Sequence, residues 1–128
     1  MIRTLPIVKL RTMGVLFSLA FLCFLPEAAL GHAFLDHADP KVGATLTVSP
    51  DRVRIWFDSA LEPAFSTIMV HRADGTMVDN RDGRVNSSDA KLLEVSVPRL
   101  PPGTYRVIWS IATRDGHRTN GKYTFVVK

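Results

Sequence analysis

Thiols are almost missing from this sequence: its 128 residues contain a single cysteine, Cys23. An intrachain disulfide is therefore excluded, and so is a metal site built from several thiolates. Long apolar stretches are missing too. The most apolar run, residues 14 to 25, is broken only by Ser18 and is shorter than the ~20 residues a helix needs to span a bilayer. Helical periodicity is lacking from residue 32 onward, where no segment keeps an apolar stripe at the 3.6-residue period. Methionine is sparse in that region, with Met69 and Met77 alone and no run of thioethers.

The first 31 residues read as a secretory signal. Arg3, Lys9 and Arg11 precede the apolar run, and small residues stand at Ala29 and Gly31, the two positions a signal peptidase inspects. Cys23 follows Phe21 and Leu22, whose bulk argues against lipidation. Cleavage after Gly31 leaves one domain, residues 32 to 128, which is 97 residues with no thiol and no membrane anchor. The leader also takes three basic residues and Glu27, so 13 basic and 11 acidic residues remain, a charge of +2. The high pI belongs partly to the leader, and nucleic acid is not implied as a partner.

From residue 32 onward apolar residues recur with a period of two, the mark of strands with one buried face. Val53, Ile55 and Phe57 share a face, as do Ile68 and Val70; Leu93, Val95 and Val97 alternate with Glu94 and Ser96. Tyr105, Val107, Trp109 and Ile111 form another buried row, followed by Tyr123, Phe125 and Val127. Further strands are expected at 33 to 37 and 44 to 48. Turn formers separate these segments: Asp39-Pro40, Ser49-Pro50-Asp51, Ala73-Asp74-Gly75, Arg81-Asp82-Gly83, Pro101-Pro102-Gly103 and Asn120-Gly121. About seven strands in one small domain predict an all-β, immunoglobulin-like Greek-key sandwich or barrel. Tyr105, behind the proline and glycine turn, fits a tyrosine corner.

Cleavage after Gly31 would make His32 the first residue, with an amine and an imidazole on one α-carbon. That pair can chelate a metal. A second group of donors stands in Arg114-Asp115-Gly116-His117. If the chain is extended there, Asp115 and His117 point to the same side; if Asp-Gly forms a hairpin turn, the sequence needs no functional reading. A sandwich can bring the first strand and this segment to one end. Amine, two imidazoles and one carboxylate would then suit Cu(II), which favours tetragonal nitrogen and oxygen donors; zinc is the other candidate.

Three stretches, HAFLDHADPKVGATL, VRIWFDSALEPAFS and LPPGTYRVIWSIATRDGHRTNGKYTFVV, resemble the CopC family of periplasmic copper-binding proteins, including its YobA-type members. The resemblance implies a Greek-key β-sandwich that binds one Cu(II) ion through His32, Asp115 and His117. It also implies a role in copper resistance or homeostasis, with delivery to an inner-membrane CopD-like transporter. Some members carry a second, Cu(I) site in a methionine-rich loop; Met69 and Met77 alone point to a Cu(II)-only variant. Where the family often has Phe-Ser-Glu, this chain has Phe57-Asp58-Ser59 with Glu62 further on. Either Asp58 or Glu62 replaces that glutamate, or the site lacks it.

The other candidate residues have plainer roles. His37 is expected to be a surface or turn residue facing away from His32, and His71 to face solvent. Trp109 is expected in the core, while Trp56 has the parity to cap an edge or cover the site. Arg114 and Arg118 are either solvated or bonded to Asp115. Two other functional classes stay open at this point: an oxidative copper enzyme with a histidine-brace-like site, and a metal-free adhesion or assembly module in which His32 is incidental.

Overall fold

The alternation along the chain becomes two facing sheets. A computed structural model describes residues 3–4 and 35–128; the leader, the cleavage bond and His32 lie outside the described residues. Eight strands are found among the described residues: β1 (Leu35–Asp39), β2 (Thr45–Leu46), β3 (Arg52–Phe57), β4 (Thr67–Arg72), β5 (Arg84–Val85), β6 (Leu92–Ser96), β7 (Gly103–Ala112) and β8 (Arg118–Val127). A single-turn 3-10 helix, Pro63–Phe65, links β3 to β4. One sheet runs β1-β3-β6-β5 and the other β2-β8-β7-β4. β2 lies parallel to β8, and the remaining pairs are antiparallel. No helix among the described residues is long and apolar enough to cross a membrane.

The inward rows fill one core. Val53, Ile55, Phe57, Ile68, Val70, Leu93, Val95, Tyr105, Val107, Trp109, Ile111, Tyr123, Phe125 and Val127 are all buried and packed together. Each fully buried aliphatic or aromatic side chain contributes roughly 1.5–3 kcal/mol, and with no disulfide this packing carries the fold. Trp109 meets Phe57 of the opposite sheet edge-on, with centroids 5.2 Å apart and planes at 75°. The Tyr105 hydroxyl donates to the Pro101 carbonyl, which forms the expected tyrosine corner.

Three departures from the sequence reading have local causes. Asn120-Gly121 is not a turn but lies within β8, opposite Ser110 and Trp109, because the chain has already reversed at Arg114-Asp115-Gly116. The eighth strand, β5, has only two residues and sits just after the Arg81-Asp82-Gly83 turn, too short to show a period. Glu94 has the outward parity of its strand but is only 5% exposed. It lies in register with Arg54 on one side and Arg84 on the other. Arg52 and Arg84 each place a guanidinium nitrogen 3.6 Å from its Oε1, and the Asn86 amide donates to the same oxygen at 3.2 Å. These three partners offset the burial of the carboxylate, while the arginine side chains themselves are 43% and 63% exposed.

The β7–β8 pairing contains one position where only glycine fits. Trp109 stands opposite Gly121, and its indole occupies the space a side chain would take: a Cβ at Gly121 would fall 2.4 Å from Trp109 Cζ2. Gly121→Ala is therefore expected to push the indole out of its packing and to lower stability by about 1–3 kcal/mol. Thermal or urea unfolding checks this, and an unchanged midpoint would contradict it.

Candidate metal centre

The long hairpin decides where the late motif goes. β7 and β8 pair from Gly103 opposite Val127 to Ala112 opposite Arg118. Beyond Ala112 the Thr113 N–H donates to the His117 carbonyl at 2.8 Å, and the Gly116 N–H turns back to the Thr113 carbonyl at 3.0 Å. Gly116 has φ of 93°, a left-handed conformation that glycine adopts without strain. The loop Arg114-Asp115-Gly116 is thus a three-residue hairpin turn with glycine in the left-handed position. The extended alternative for Asp115 and His117 is overturned, because the chain reverses there.

The turn nevertheless brings the two side chains together. His117 Nδ1 lies 3.0 Å from Asp115 Oδ1, with both side chains 66% exposed. The Thr113 hydroxyl donates to the same carboxylate oxygen. These donors, Thr113 first and then His117, hold the Asp115 carboxyl below the usual carboxylate range. Asp115 therefore stays ionised and able to ligate at pH values where an ordinary carboxylate begins to protonate. Arg114 and Arg118 do not supply its hydrogen bonds. Arg118 lies instead over the Phe65 ring, 5.2 Å from its centroid.

Two other segments reach the same end of the sandwich. The stretch after β3 is tied to the hairpin: Arg114 N–H donates to the Ala60 carbonyl at 3.0 Å and Glu62 N–H to the Ala112 carbonyl at 2.8 Å, while Leu61 bridges Thr113. Asp58 and Glu62 are near in the chain, but among the described residues no group of three His, Cys, Asp or Glu side chains is close enough to share a metal. Neither one joins Asp115 and His117. The second segment is β1, whose first residue, Leu35, pairs with Phe57 at the end of β3. Leu35 follows His32 by three residues, a reach of about 10 Å for extended chain.

The remaining histidines are elsewhere. His37 is exposed, as expected; it stacks on Trp56 with centroids 4.4 Å apart and planes 9° from parallel, and its Nδ1 is 2.6 Å from Asp36 Oδ2. Trp56 thus sits under His37 at the β1–β3 edge. His71 departs from expectation, since it is half-buried and its Nε2 is covered with no hydrogen-bond partner among the described residues. The chain returns along β4 there, placing Met77 opposite His71. Met69 and Met77 line one hollow of about 450 Å³ with Thr67, Asp79 and Arg81.

Thr113 is the participant that sequence reasoning passed over. A signal was present: Thr113 continues the inward register of Tyr105, Val107, Trp109 and Ile111, and at 3% exposure its hydroxyl must find a partner. Asp115, two residues on, is that partner. Chemically, the pair offers one imidazole nitrogen and one carboxylate oxygen. Their 3.0 Å separation is close to the distance of about 2.8–3.0 Å between adjacent donors around an ion with bonds near 2.0–2.1 Å.

Comparison with known proteins shows the family. The family model described as the CopC domain matches residues 35–128. Protein YobA of Escherichia coli strain K12 is 35% identical over 98 residues, covering 76% of this chain and 79% of that protein. Copper transport protein CutJ of Bacillus subtilis strain 168 is 29% identical over 110 residues, 85% of this chain but only 20% of that longer protein. The crystal structure of CopC from Methylosinus trichosporium OB3b superposes with a TM-score of 0.69 at 31% identity, covering 76% of this chain and 94% of that one.

The Asp115 environment makes a direct prediction for the metal-free protein. Its carboxyl is expected to titrate below an ordinary aspartate and to move upward in His117→Ala. Carboxyl-detected NMR checks both, and an unperturbed midpoint in wild type would contradict the geometry.

Proposed function

The chain belongs to the CopC family, and on that premise we propose that it is a periplasmic Cu(II)-binding protein that carries or buffers one copper ion for resistance or homeostasis. In this reading a secretory leader, residues 1 to 31, is removed, and the new terminal His32 binds through its amine and its ring, with Asp115 and His117 completing the site. The observation that carries the proposal is the contact between Asp115 and His117 at the end of the sandwich where β1 begins. Three nitrogens and one carboxylate form the tetragonal donor set that Cu(II) prefers, and Cu(II) heads the affinity order of divalent first-row ions. The absence of thiolates fits the same oxidation state, since soft sulfur donors favour Cu(I).

The protein is proposed to bind and release copper rather than to turn over a substrate. An inner-membrane CopD-like transporter is the proposed acceptor. Support comes from the longer copper transport protein CutJ, of which this chain resembles a fifth.

Binding requires proton loss. The amine must give up the proton it holds below about pH 7.7–8.0. Asp115, held low, competes for protons least. Cu(II) affinity is therefore expected to weaken as pH falls below about 7.7–8.0, with the amine responsible for the slope. His32→Ala, or a single extra residue left ahead of His32, is expected to weaken binding by orders of magnitude in a titration against a competing chelator. Unchanged affinity in both variants would remove the terminal histidine from the site.

A further inference from the structure

The hydroxyl of Thr113 occupies an unusual place for the last inward position of a core strand. β7 presents apolar side chains to the core at Tyr105, Val107, Trp109 and Ile111, and then a threonine that is 3% exposed. In the hairpin, the main-chain carbonyl of Thr113 already accepts from Gly116 N–H. The His117 N–H donates instead to the Thr113 hydroxyl oxygen, at 3.1 Å. A hydroxyl has one proton to give. It goes to Asp115 Oδ1, the nearest acceptor, in preference to the His117 carbonyl at 3.3 Å. One side chain therefore holds the backbone of His117 and the carboxylate of Asp115 together.

That matters because the two ligand side chains are themselves poorly restrained. Both are two-thirds exposed, and an exposed side chain loses rotamer freedom when it is fixed on a ligand. The groups that bond Asp115 are Thr113 and His117, and Thr113 is the one of the two that is anchored in the core. On the footing of the copper reading above, we infer that Thr113 is a positioning residue of the metal site: its hydroxyl sets Asp115 Oδ1 and His117 Nδ1 at the separation of two adjacent ligands before the ion arrives. It touches the ligands and not the ion. Partners of this kind around metal sites are worth 10–100-fold in metal affinity.

The test compares Thr113→Val, which keeps the shape and removes the hydroxyl, with Thr113→Ser, which keeps the hydroxyl, in exported and processed protein. Cu(II) affinity by chelator competition and the EPR spectrum are read alongside thermal stability. Thr113→Val is expected to weaken Cu(II) binding by about 10–100-fold and to change the copper hyperfine pattern, and Thr113→Ser to restore both. A folded valine variant with wild-type affinity and spectrum would overturn the inference and leave Thr113 as a turn brace only. Should the valine variant not fold, NMR of the metal-free wild type decides. A slowly exchanging Thr113 hydroxyl proton supports the inference, and one that averages with water overturns it. Asp115→Asn and His117→Ala, measured in parallel, separate the two levels: if they bind copper like wild type, the copper reading itself fails; if they lose it while Thr113→Val does not, only the positioning role fails.

Discussion

The antiparallel pairing of β7 with β8 is the constraint from which both the core and the site follow. Its register fixes which side chains face inward, because a slip of one residue would turn every one of them to the other face. That register seats the Trp109 indole over Gly121 and brings Phe57 of the other sheet against it. The same register closes the hairpin at Ala112 and Arg118, so the turn that follows has just enough residues to place Asp115 beside His117. Packing at the centre and donor geometry at the tip are two consequences of one alignment.

The tip is assembled from neighbours that the core also positions. Leu61 is fully buried and bridges Thr113, which ties the loop after β3 to the hairpin. β1 starts from the same end through the pairing of Leu35 with Phe57. A rigid sandwich thereby presents two donors on a short turn, next to the origin of the strand that His32 precedes. A disulfide is not needed, because the anchoring comes from buried apolar residues and from one buried hydroxyl.

The inward rows were legible because a sheet with one wet face imposes strict alternation. All of the residues from Val53 to Val127 that the alternation assigned to the core are buried. Where alternation failed, the outward face carried partners: Glu94 is paired with Arg52, Arg84 and Asn86, and Met77 of the returning chain bridges His71. A two-residue strand such as β5 has no period to read. Asp115 and His117 were legible as a pair, but for the wrong local reason, since a turn joins them where an extended strand was one option. Thr113 was missed because an isolated threonine looks neutral until its inward register is counted. His32 was inferred from the cleavage signal and the family resemblance; it stands outside the described residues and enters the site as a proposal.

The central claim is that proteolysis creates the site by exposing the amine of His32 beside the Asp115–His117 pair. Intact mass spectrometry of the exported protein, under native conditions with and without Cu(II), tests this most directly because it reports the first residue and the metal stoichiometry together. The account predicts a chain of residues 32 to 128 that gains one copper ion. A chain beginning at another residue that still takes up one tightly held copper would contradict it, and so would a chain beginning at His32 that takes up none.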